Sequence, residues 1–142
     1  MTELRTVPAV DVAPPKKQRR KKSVSPTQRT MAELRARGWT AQIVERRVPR
    51  VNILRDLFGF GDIVALVDDG ILAIQCTSGD HHAHRREKIL AEPRALEWLR
   101  AGGKIAIWSW EKQGARGKRK TWQLREEEIE DLDFAATQTE AT

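Results

Sequence analysis

Short apolar runs recur along the chain after residue 24, and residues that favour turns separate them. Ser25 followed by Gln28 forms a capping-box sequence, which predicts a first helix over residues 26–37. The apolar residues of TAQIVERRVP then predict a strand that ends at its last proline and lies near a sheet edge. Residues 50–61 contain two glycines and are predicted to form a loop.

The next two apolar runs, IVALV and ILAIQCT, predict a β-hairpin. Asp69-Gly70 between them is a strong signal for a two-residue type I′ turn. With that turn, Asp62 lies opposite Thr77. Because facing residues project to the same side and side chains alternate along a strand, Asp62, Gln75 and Thr77 are predicted to emerge on one face. The pattern therefore predicts a polar cluster at the end of an otherwise apolar hairpin.

The remaining pattern predicts two helices and two strands. A helix over about residues 81–91, with Asp80 as its N-cap, is followed by a second helix in PRALEWLRA. Strands in KIAIWSWEK and TWQLR flank the basic tip QGARGKRK. Strands that are apolar on both faces are usually covered by helices on both sides. The sequence therefore predicts an α/β fold of mixed α+β character, in α-β-β-β-α-β order, with a central mixed sheet flanked by helices.

Charge divides the 142 residues into three parts. Residues 1–24 contain three prolines and the cluster KKQRRKK and are predicted to form a disordered basic arm. Residues 25–125 form the predicted domain, with nineteen basic and eleven acidic side chains. Residues 126–142 form an acidic tail with a short helix. A basic body attracts polyanions, so nucleic acid, most simply DNA, is the expected partner, and a merely solvated basic face is the alternative.

Other classes of protein are disfavoured by what the sequence lacks. No run approaches the roughly 18 apolar residues that a membrane span needs, and the first residues do not resemble a secretory signal, so a cytoplasmic protein without a membrane partner is expected. Cys76 is the single cysteine and is expected to be a buried thiol, which excludes a disulfide framework or a cysteine-rich zinc site. The five tryptophans are expected mainly in the core or on a sheet face.

The sequence resembles the PD-(D/E)XK nuclease superfamily. Asp62 is followed after twelve residues by Gln75-Cys76-Thr77 at the end of a hairpin strand, within an α-β-β-β-α-β order. The resemblance covers about residues 26–125 and is closest to the Holliday-junction-resolvase-like and VRR-type branch, which is often met in bacteria and phages. It implies a restriction-endonuclease-like core and Mg²⁺-dependent hydrolysis of DNA phosphodiester bonds, by an endonuclease or resolvase acting on structured DNA, with Mn²⁺ as a substitute cofactor. Because such relatives commonly dimerise, it also implies a homodimer as one option.

The resemblance assigns roles to particular residues. Asp62 matches the first metal-binding acid, Gln75 the second acidic position and Thr77 the catalytic lysine position, and the Cys76 carbonyl is an implied metal ligand. Relatives of the resolvase type often carry a further ligand on the first helix, where Glu33 is the candidate, although helical spacing places Glu33 away from the apolar side and near Arg37. Asp56 either adds a ligand or caps its loop, and Lys88 or Arg85 is the candidate replacement for the missing lysine.

Two departures from the family pattern leave alternatives open. An amide oxygen is a weaker ligand for Mg²⁺ than a carboxylate, and a hydroxyl cannot supply the charge of a lysine. A catalytically degenerate nuclease-fold protein that only binds nucleic acid is therefore the second hypothesis, and a basic packaging protein that works through its arm is the third. The predicted nucleic-acid contacts lie on the helix after the hairpin, in the basic tip and in the arm: Arg85, Arg86, Lys88, Arg116, Lys118, Arg119, Lys120, Lys16, Lys17, Arg19 and Arg20.

Overall fold

The computed structural model describes residues 23–51 and 53–140 and is a mixed α/β fold. Its helices and strands follow in chain order: α1 (Pro26–Ala36), β1 (Thr40–Ile43), β2 (Arg46–Val48), β3 (Ile53–Arg55), β4 (Ile63–Val67), β5 (Gly70–Ser78), a 3-10 turn (Gly79–His81), α2 (His82–Leu90), α3 (Pro93–Arg100), β6 (Lys104–Gln113), β7 (Thr121–Ile129) and α4 (Asp131–Glu140). None of these helices is long and apolar enough to cross a membrane.

Five strands form the central sheet in the order β1-β4-β5-β6-β7. The β5–β6 pair is parallel and the other neighbours are antiparallel. The chain crosses from β5 to β6 through α2 and α3. Two apolar clusters fill the two faces of the sheet: Leu34 of α1 packs on one face with Ile74, and Ile89 of α2 and Ala95 of α3 pack on the other with Ile107. The sheet is therefore covered by helices on both sides, as predicted.

The first helix begins as the capping-box sequence predicts. The Ser25 hydroxyl accepts a hydrogen bond from the backbone N–H of Gln28 (3.2 Å), and the Gln28 side chain accepts one from the Ser25 N–H (3.3 Å). Gly38 follows the helix with φ 78°, a left-handed conformation that glycine adopts without strain. The helix packs its one fully buried leucine, Leu34, against the sheet.

The predicted hairpin is present, but its turn is Asp68-Asp69 and not Asp69-Gly70. Val67 pairs with Gly70, and the ladder continues to Ile63 opposite Ile74. Gly70 therefore opens β5, and Asp69 in the turn forms an ion pair with Lys104 of β6. The register consequently brings Asp62 next to Gln75 and not opposite Thr77. Because partners shift by two residues, each side chain keeps its predicted face.

The predicted first strand is two strands. The chain leaves the central sheet after β1, and β2 pairs with β3 as a separate two-stranded sheet. The strand β3 lies inside residues 50–61, which the sequence predicted to be a loop. We refer to β2, β3 and their connection, residues 46–55, as the flap hairpin. It is an insertion between the first two strands of the central sheet.

Two further boundaries differ from the predicted ones. A 3-10 turn precedes α2, and His81, not Asp80, occupies its N-cap position, without a side-chain cap. The strand β7 continues to Ile129, into residues 126–142, which were predicted to form the acidic tail. Ile129 and Phe134 are both buried in the apolar cluster on the α2 side. The start of the tail therefore belongs to the core, because its few apolar residues pack there.

Candidate metal centre

Three carboxylates meet beside the first residue of β4. Asp62 directly precedes β4, Glu45 lies between β1 and β2, and Asp56 directly follows β3. One oxygen from each side chain lies within 4.8 Å of the other two. The Asp62 carbonyl accepts hydrogen bonds from the N–H groups of Val44 (2.9 Å) and Glu45 (3.3 Å), which fixes two of these segments together. We call Glu45, Asp56 and Asp62 the acidic cluster.

Asp62 is the buried member of this cluster, with 4% of its surface exposed. Its Oδ2 accepts a hydrogen bond from the Gln75 side-chain amide (2.8 Å) and another from the Cys76 backbone N–H (2.9 Å). Gln75 is also buried, and it presents its NH₂ group to Asp62. Gln75, which was predicted to be the second metal ligand, thus donates a hydrogen bond that orients Asp62. Only the side-chain amide oxygen of Gln75 is left for a cation.

Crowding of the carboxylates changes their acidity. The pKa of Asp62 is raised to about 7, chiefly by burial; the Cys76 N–H opposes this, and the charges of Asp56 and Glu45 add to it. The pKa of Glu45 is raised by burial and by Asp56, while the charge of Arg85 lowers it. Because like charges this close disfavour ionisation, the cluster holds a proton or gains from a cation.

The donor set suits a hard divalent cation. The acidic cluster offers only oxygen ligands, which Mg²⁺ and Mn²⁺ prefer and which do not make a typical zinc site. The Cys76 carbonyl adds to this set: the N–H and C=O of a strand residue point to the same edge, and this N–H reaches Asp62. The Cys76 thiol packs with the apolar cluster on the α1 side, as a buried thiol should, and burial raises its pKa to about 12.

One cation from α2 acts on the acidic cluster. Arg85 is half-buried and is the positive charge that lowers the pKa of Glu45, and its buried Nε has no hydrogen-bond partner among the described residues. Lys88, one turn further, is exposed to solvent. Arg86 faces elsewhere and pairs with Glu127 (3.2 Å) and Asp133 (3.0 Å). Of the three predicted helix cations, Arg85 is the one whose charge acts on a carboxylate of the acidic cluster.

Thr77 and Glu33 have different outcomes. Thr77 is buried on the same face as Gln75, beside Ser109 of β6, so the three predicted strand residues do form one polar row. Glu33 does not join the acidic cluster. It forms an ion pair with Arg37 (3.1 Å), because α1 covers the opposite face of the sheet from the one on which Asp62 projects. The acids that lie beside Asp62 are instead Glu45, which no local sequence pattern indicates, and Asp56.

A buried histidine on α2 was also missed. His82 is 1% exposed and hydrogen-bonds through Nδ1 to the Ser109 hydroxyl (2.7 Å) and through Nε2 to the Glu127 carboxylate (2.7 Å). Arg86 bridges the same Glu127 to Asp133 of α4. These contacts attach the first turn of α2 to β6, β7 and α4. The sequence HHAH alone does not show which histidine points into the core. A helical wheel aligned on the apolar residue Ile89 does place His82 on the buried side.

The basic tip between β6 and β7 is open to solvent. Arg116, Lys118, Arg119 and Lys120 are all exposed in the connection between β6 and β7. The predicted arm contacts Lys16, Lys17, Arg19 and Arg20 lie outside the described residues.

Two of the tryptophans show how this class of residue divides between core and surface. Trp108 is buried in the core, whereas Trp122, near the tip, is 41% exposed. The Arg29 guanidinium lies 3.8 Å from the centre of the Trp122 ring. Trp108 in the core and Trp122 on the strand β7 thus fit the two positions expected of the tryptophans.

A cavity of about 380 Å³ lies at the other end of β4 and β5, away from the acidic cluster. Trp39 and Trp108 line it, together with the carboxylates of Asp68, Glu126 and Glu128. An acidic rim of this kind repels phosphate, so this cavity does not suit a nucleic acid.

Comparison with known proteins gives no assignment. No protein-family model matches the chain, no curated protein is similar to it, and no solved structure matches its fold. Any function of the chain is therefore inferred from its own residues.

Proposed function

We propose that the protein is a metal-dependent nuclease that hydrolyses phosphodiester bonds in DNA. The observation that carries this proposal is the convergence of Asp62 with Glu45 and Asp56, beside the half-buried cation Arg85. Asp62 stands where the resemblance to PD-(D/E)XK nucleases predicts the first metal-binding acid. A buried acid surrounded by like charges is costly unless a cation or a proton compensates it.

The topology supports the same class. The helix α1 is followed by three antiparallel central strands, then by α2 and α3, and then by β6 parallel to β5. This sequence of elements is compatible with the restriction-endonuclease-like core that the resemblance implies. The flap hairpin is an insertion into that order, and it supplies no central strand.

The acidic cluster and the Cys76 carbonyl would hold the metal, Mg²⁺ or Mn²⁺. When bound, such an ion lowers the pKa of a coordinated water and neutralises charge on a phosphate. Gln75 and the Cys76 N–H fix Oδ2 of Asp62 and thereby set the direction of its other oxygen. Arg85 supplies the positive charge that Thr77 lacks, and it would contact the phosphate. Thr77 keeps a hydroxyl that can hydrogen-bond water.

A cleavage assay tests this proposal. Purified protein should cut linear, flap or four-way-junction DNA with Mg²⁺ or Mn²⁺ and not with EDTA. Asp62→Asn keeps an oxygen acceptor for the Cys76 N–H but removes the charge, so cleavage should fall at least about a hundredfold while the fold persists. Glu33→Gln, which alters an acid outside the cluster, should cut like wild type. Equal cleavage by the Asp62→Asn variant would refute the proposal.

A nucleic-acid-binding protein without catalysis is the second candidate. The uncharged side chains of Gln75 and Thr77 favour it, since both replace charged groups of the family pattern. In that case all the DNA substrates would shift in a gel without any metal-dependent product. The same assay thus separates the two functions.

A further inference from the structure

The flap hairpin has no partner in the described part of the chain. All its strand residues except Val48 are exposed, and β2 and β3 pair only with each other. An isolated two-stranded sheet is marginally stable in water. Its apolar side chains are nevertheless open to solvent: Val51, Ile53 and Leu54 are each more than half exposed.

The flap hairpin is strongly basic. It carries Arg46, Arg47, Arg50 and Arg55 and no acidic residue. None of these arginines forms an ion pair with another described residue. The register places Arg46 directly opposite Arg55, so the two cations project from the same face. Like charges in facing positions destabilise a strand pair, and an anion bound between them would remove the repulsion.

Two residues of the acidic cluster flank the flap hairpin. Glu45 is the residue before β2, and Asp56 is the residue after β3. Arg46 and Arg55 are therefore each one residue from a carboxylate of the cluster. An anion that bridges this arginine pair would be bound by the residues that adjoin two of the cluster's carboxylates in the chain.

DNA fits these features better than an acidic protein does. Guanidinium groups bind phosphates in a bidentate manner, and DNA supplies phosphates at regular intervals. Exposed aliphatic side chains among arginines are also typical of elements that enter a DNA groove and pack against sugars and bases. The flap hairpin combines both at the edge of the acidic cluster.

We propose that the flap hairpin is a DNA-binding element that seats a phosphate over the acidic cluster. Arg46 and Arg55 bind the backbone beside the bond to be cut, and Ile53, which alternation places on the same face as Arg55, packs in the adjoining groove. The seating role rests on the proposed nuclease function. The DNA-binding role does not, and it holds also for the non-catalytic candidate.

The test measures binding of the full chain to a fluorescent DNA duplex in EDTA over a series of salt concentrations. Arg46→Ala/Arg55→Ala should bind at least about tenfold more weakly, and the slope of log K against log salt should fall by about 2, because two phosphate contacts are lost. Arg35→Ala/Arg100→Ala removes the same charge from exposed positions on α1 and α3 and should bind within about twofold of wild type. Removing the facing cations should not lower the melting temperature, which separates lost binding from unfolding.

Equal affinity and equal salt slope for the two double variants would overturn the proposal and would favour a protein partner for the flap hairpin. Ile53→Ser should weaken binding several-fold with an unchanged salt slope, since apolar contacts release no counterions, and Leu54→Ser, on the opposite face, should bind like wild type. Unchanged affinity of the Ile53→Ser variant would refute the groove contact. If the arginine variant lost DNA binding and the wild-type protein never cut DNA, the DNA-binding role of the flap hairpin would be supported and the nuclease function refuted. If the wild-type protein cut DNA with metal and the arginine variant bound DNA as well as wild type, the nuclease function would be supported and the role of the flap hairpin refuted.

Discussion

Asp62 is held by two donors on a single oxygen. Gln75 and the Cys76 N–H both bond Oδ2, so Oδ1 is the atom left to a proton, a cation or a neighbouring carboxylate. A buried carboxylate that only stabilised the hairpin would not need two further acids beside it. The negative charge of Asp62 destabilises the metal-free protein, whereas in the proposed metal-bound form it would bind the cation.

Metal-free protein should lose stability as the pH rises. The folded pKa of Asp62, about 7, lies above its ordinary value of 3.8, so the folded state binds the proton more tightly. This contribution is fully present below about pH 4 and is lost as the pH rises through about 7, for a total on the order of 4 kcal/mol. Urea unfolding in EDTA at pH 5.5 and pH 8 should show about half of this loss, about 2 kcal/mol.

Asp62→Asn removes this titration and should therefore show a flatter dependence on pH and a higher stability than wild type at pH 8. Glu33→Gln is the control, because Glu33 is partly exposed and lies outside the cluster. Parallel curves for wild type and Asp62→Asn would show that Asp62 has an ordinary pKa.

Mn²⁺ binding should depend on the acids beside Asp62. Glu45→Gln or Asp56→Asn removes one charged oxygen ligand, so Mn²⁺ affinity should fall at least about tenfold in a calorimetric titration at pH 8. Wild-type protein should gain about 2.7 kcal/mol of stability at a Mn²⁺ concentration of 100 times Kd. The Glu33→Gln variant should bind Mn²⁺ like wild type. Equal binding by all of these variants would place the metal elsewhere.

The helix α2 links the acidic cluster to the rest of the fold. Its Arg85 acts on Glu45, while His82 and Arg86 attach the same helix to β6, β7 and α4. The position of Arg85 therefore depends on contacts on another side of the helix. Arg86, predicted to bind nucleic acid, has its charge compensated inside this network.

His82→Ala should destabilise the protein by about 2–4 kcal/mol, because it removes two hydrogen bonds and leaves buried Ser109 without its partner. His84→Ala is a matched control on the same helix, since His84 is exposed, and it should change stability by less than about 0.5 kcal/mol. Chemical denaturation of both variants measures the difference. Similar values for the two would mean that the His82 contacts contribute little.

Local patterns predicted the elements that pack and missed the one that does not. The capping box, the hairpin and the two helices after it have apolar residues with clear periodicity, so the sequence shows them. The strand RRV was merged with β1 into one predicted strand, and ILR was assigned to a loop, because ILR is exposed throughout and lacks the alternation that marks a half-buried strand. The turn of the β4–β5 hairpin was misplaced by one residue because Gly70 was assigned to the turn and not to the strand.

The candidate site was predicted in part for a similar reason. Asp62, Gln75 and Thr77 lie on paired strands, where alternation fixes the face of each side chain. Glu45 and Asp56 reach Asp62 only because the chain leaves the sheet and returns, which no local pattern reveals. Glu33 was suggested by the resemblance and is on the wrong side of the sheet.

Charge is distributed over the molecule in separate regions. The flap hairpin and the tip between β6 and β7 are basic, whereas the rim of the 380 Å³ cavity is acidic. DNA that lies on the acidic cluster would approach from the flap hairpin and avoid that cavity. The arm, residues 1–24, is a further basic segment of the sequence. Because it is separated in the sequence from Glu45, Asp56 and Asp62, its proposed contacts are with the DNA backbone and not with the acidic cluster.

Deletion of residues 1–22 should leave the fold and the cleavage activity intact, because Ser25 still caps α1. Affinity for DNA should fall and its salt dependence should become shallower, since basic contacts are lost. A full-length chain with glutamine at Lys16, Lys17, Arg19 and Arg20 is the matched variant and should bind at least as well as the deletion. If the deletion abolished all DNA binding, the arm would be the DNA-binding segment, as the packaging hypothesis requires.

The insertion of the flap hairpin has a consequence for how such a protein can diversify. Its two ends lie side by side, and each doubling of a loop that joins adjacent ends costs only about 0.6 kcal/mol. Segments of other lengths and sequences can thus be grafted between Glu45 and Asp56 while the carboxylates stay where they are. Under the proposed function, the DNA contacts of this segment would be exchangeable independently of the cleavage chemistry.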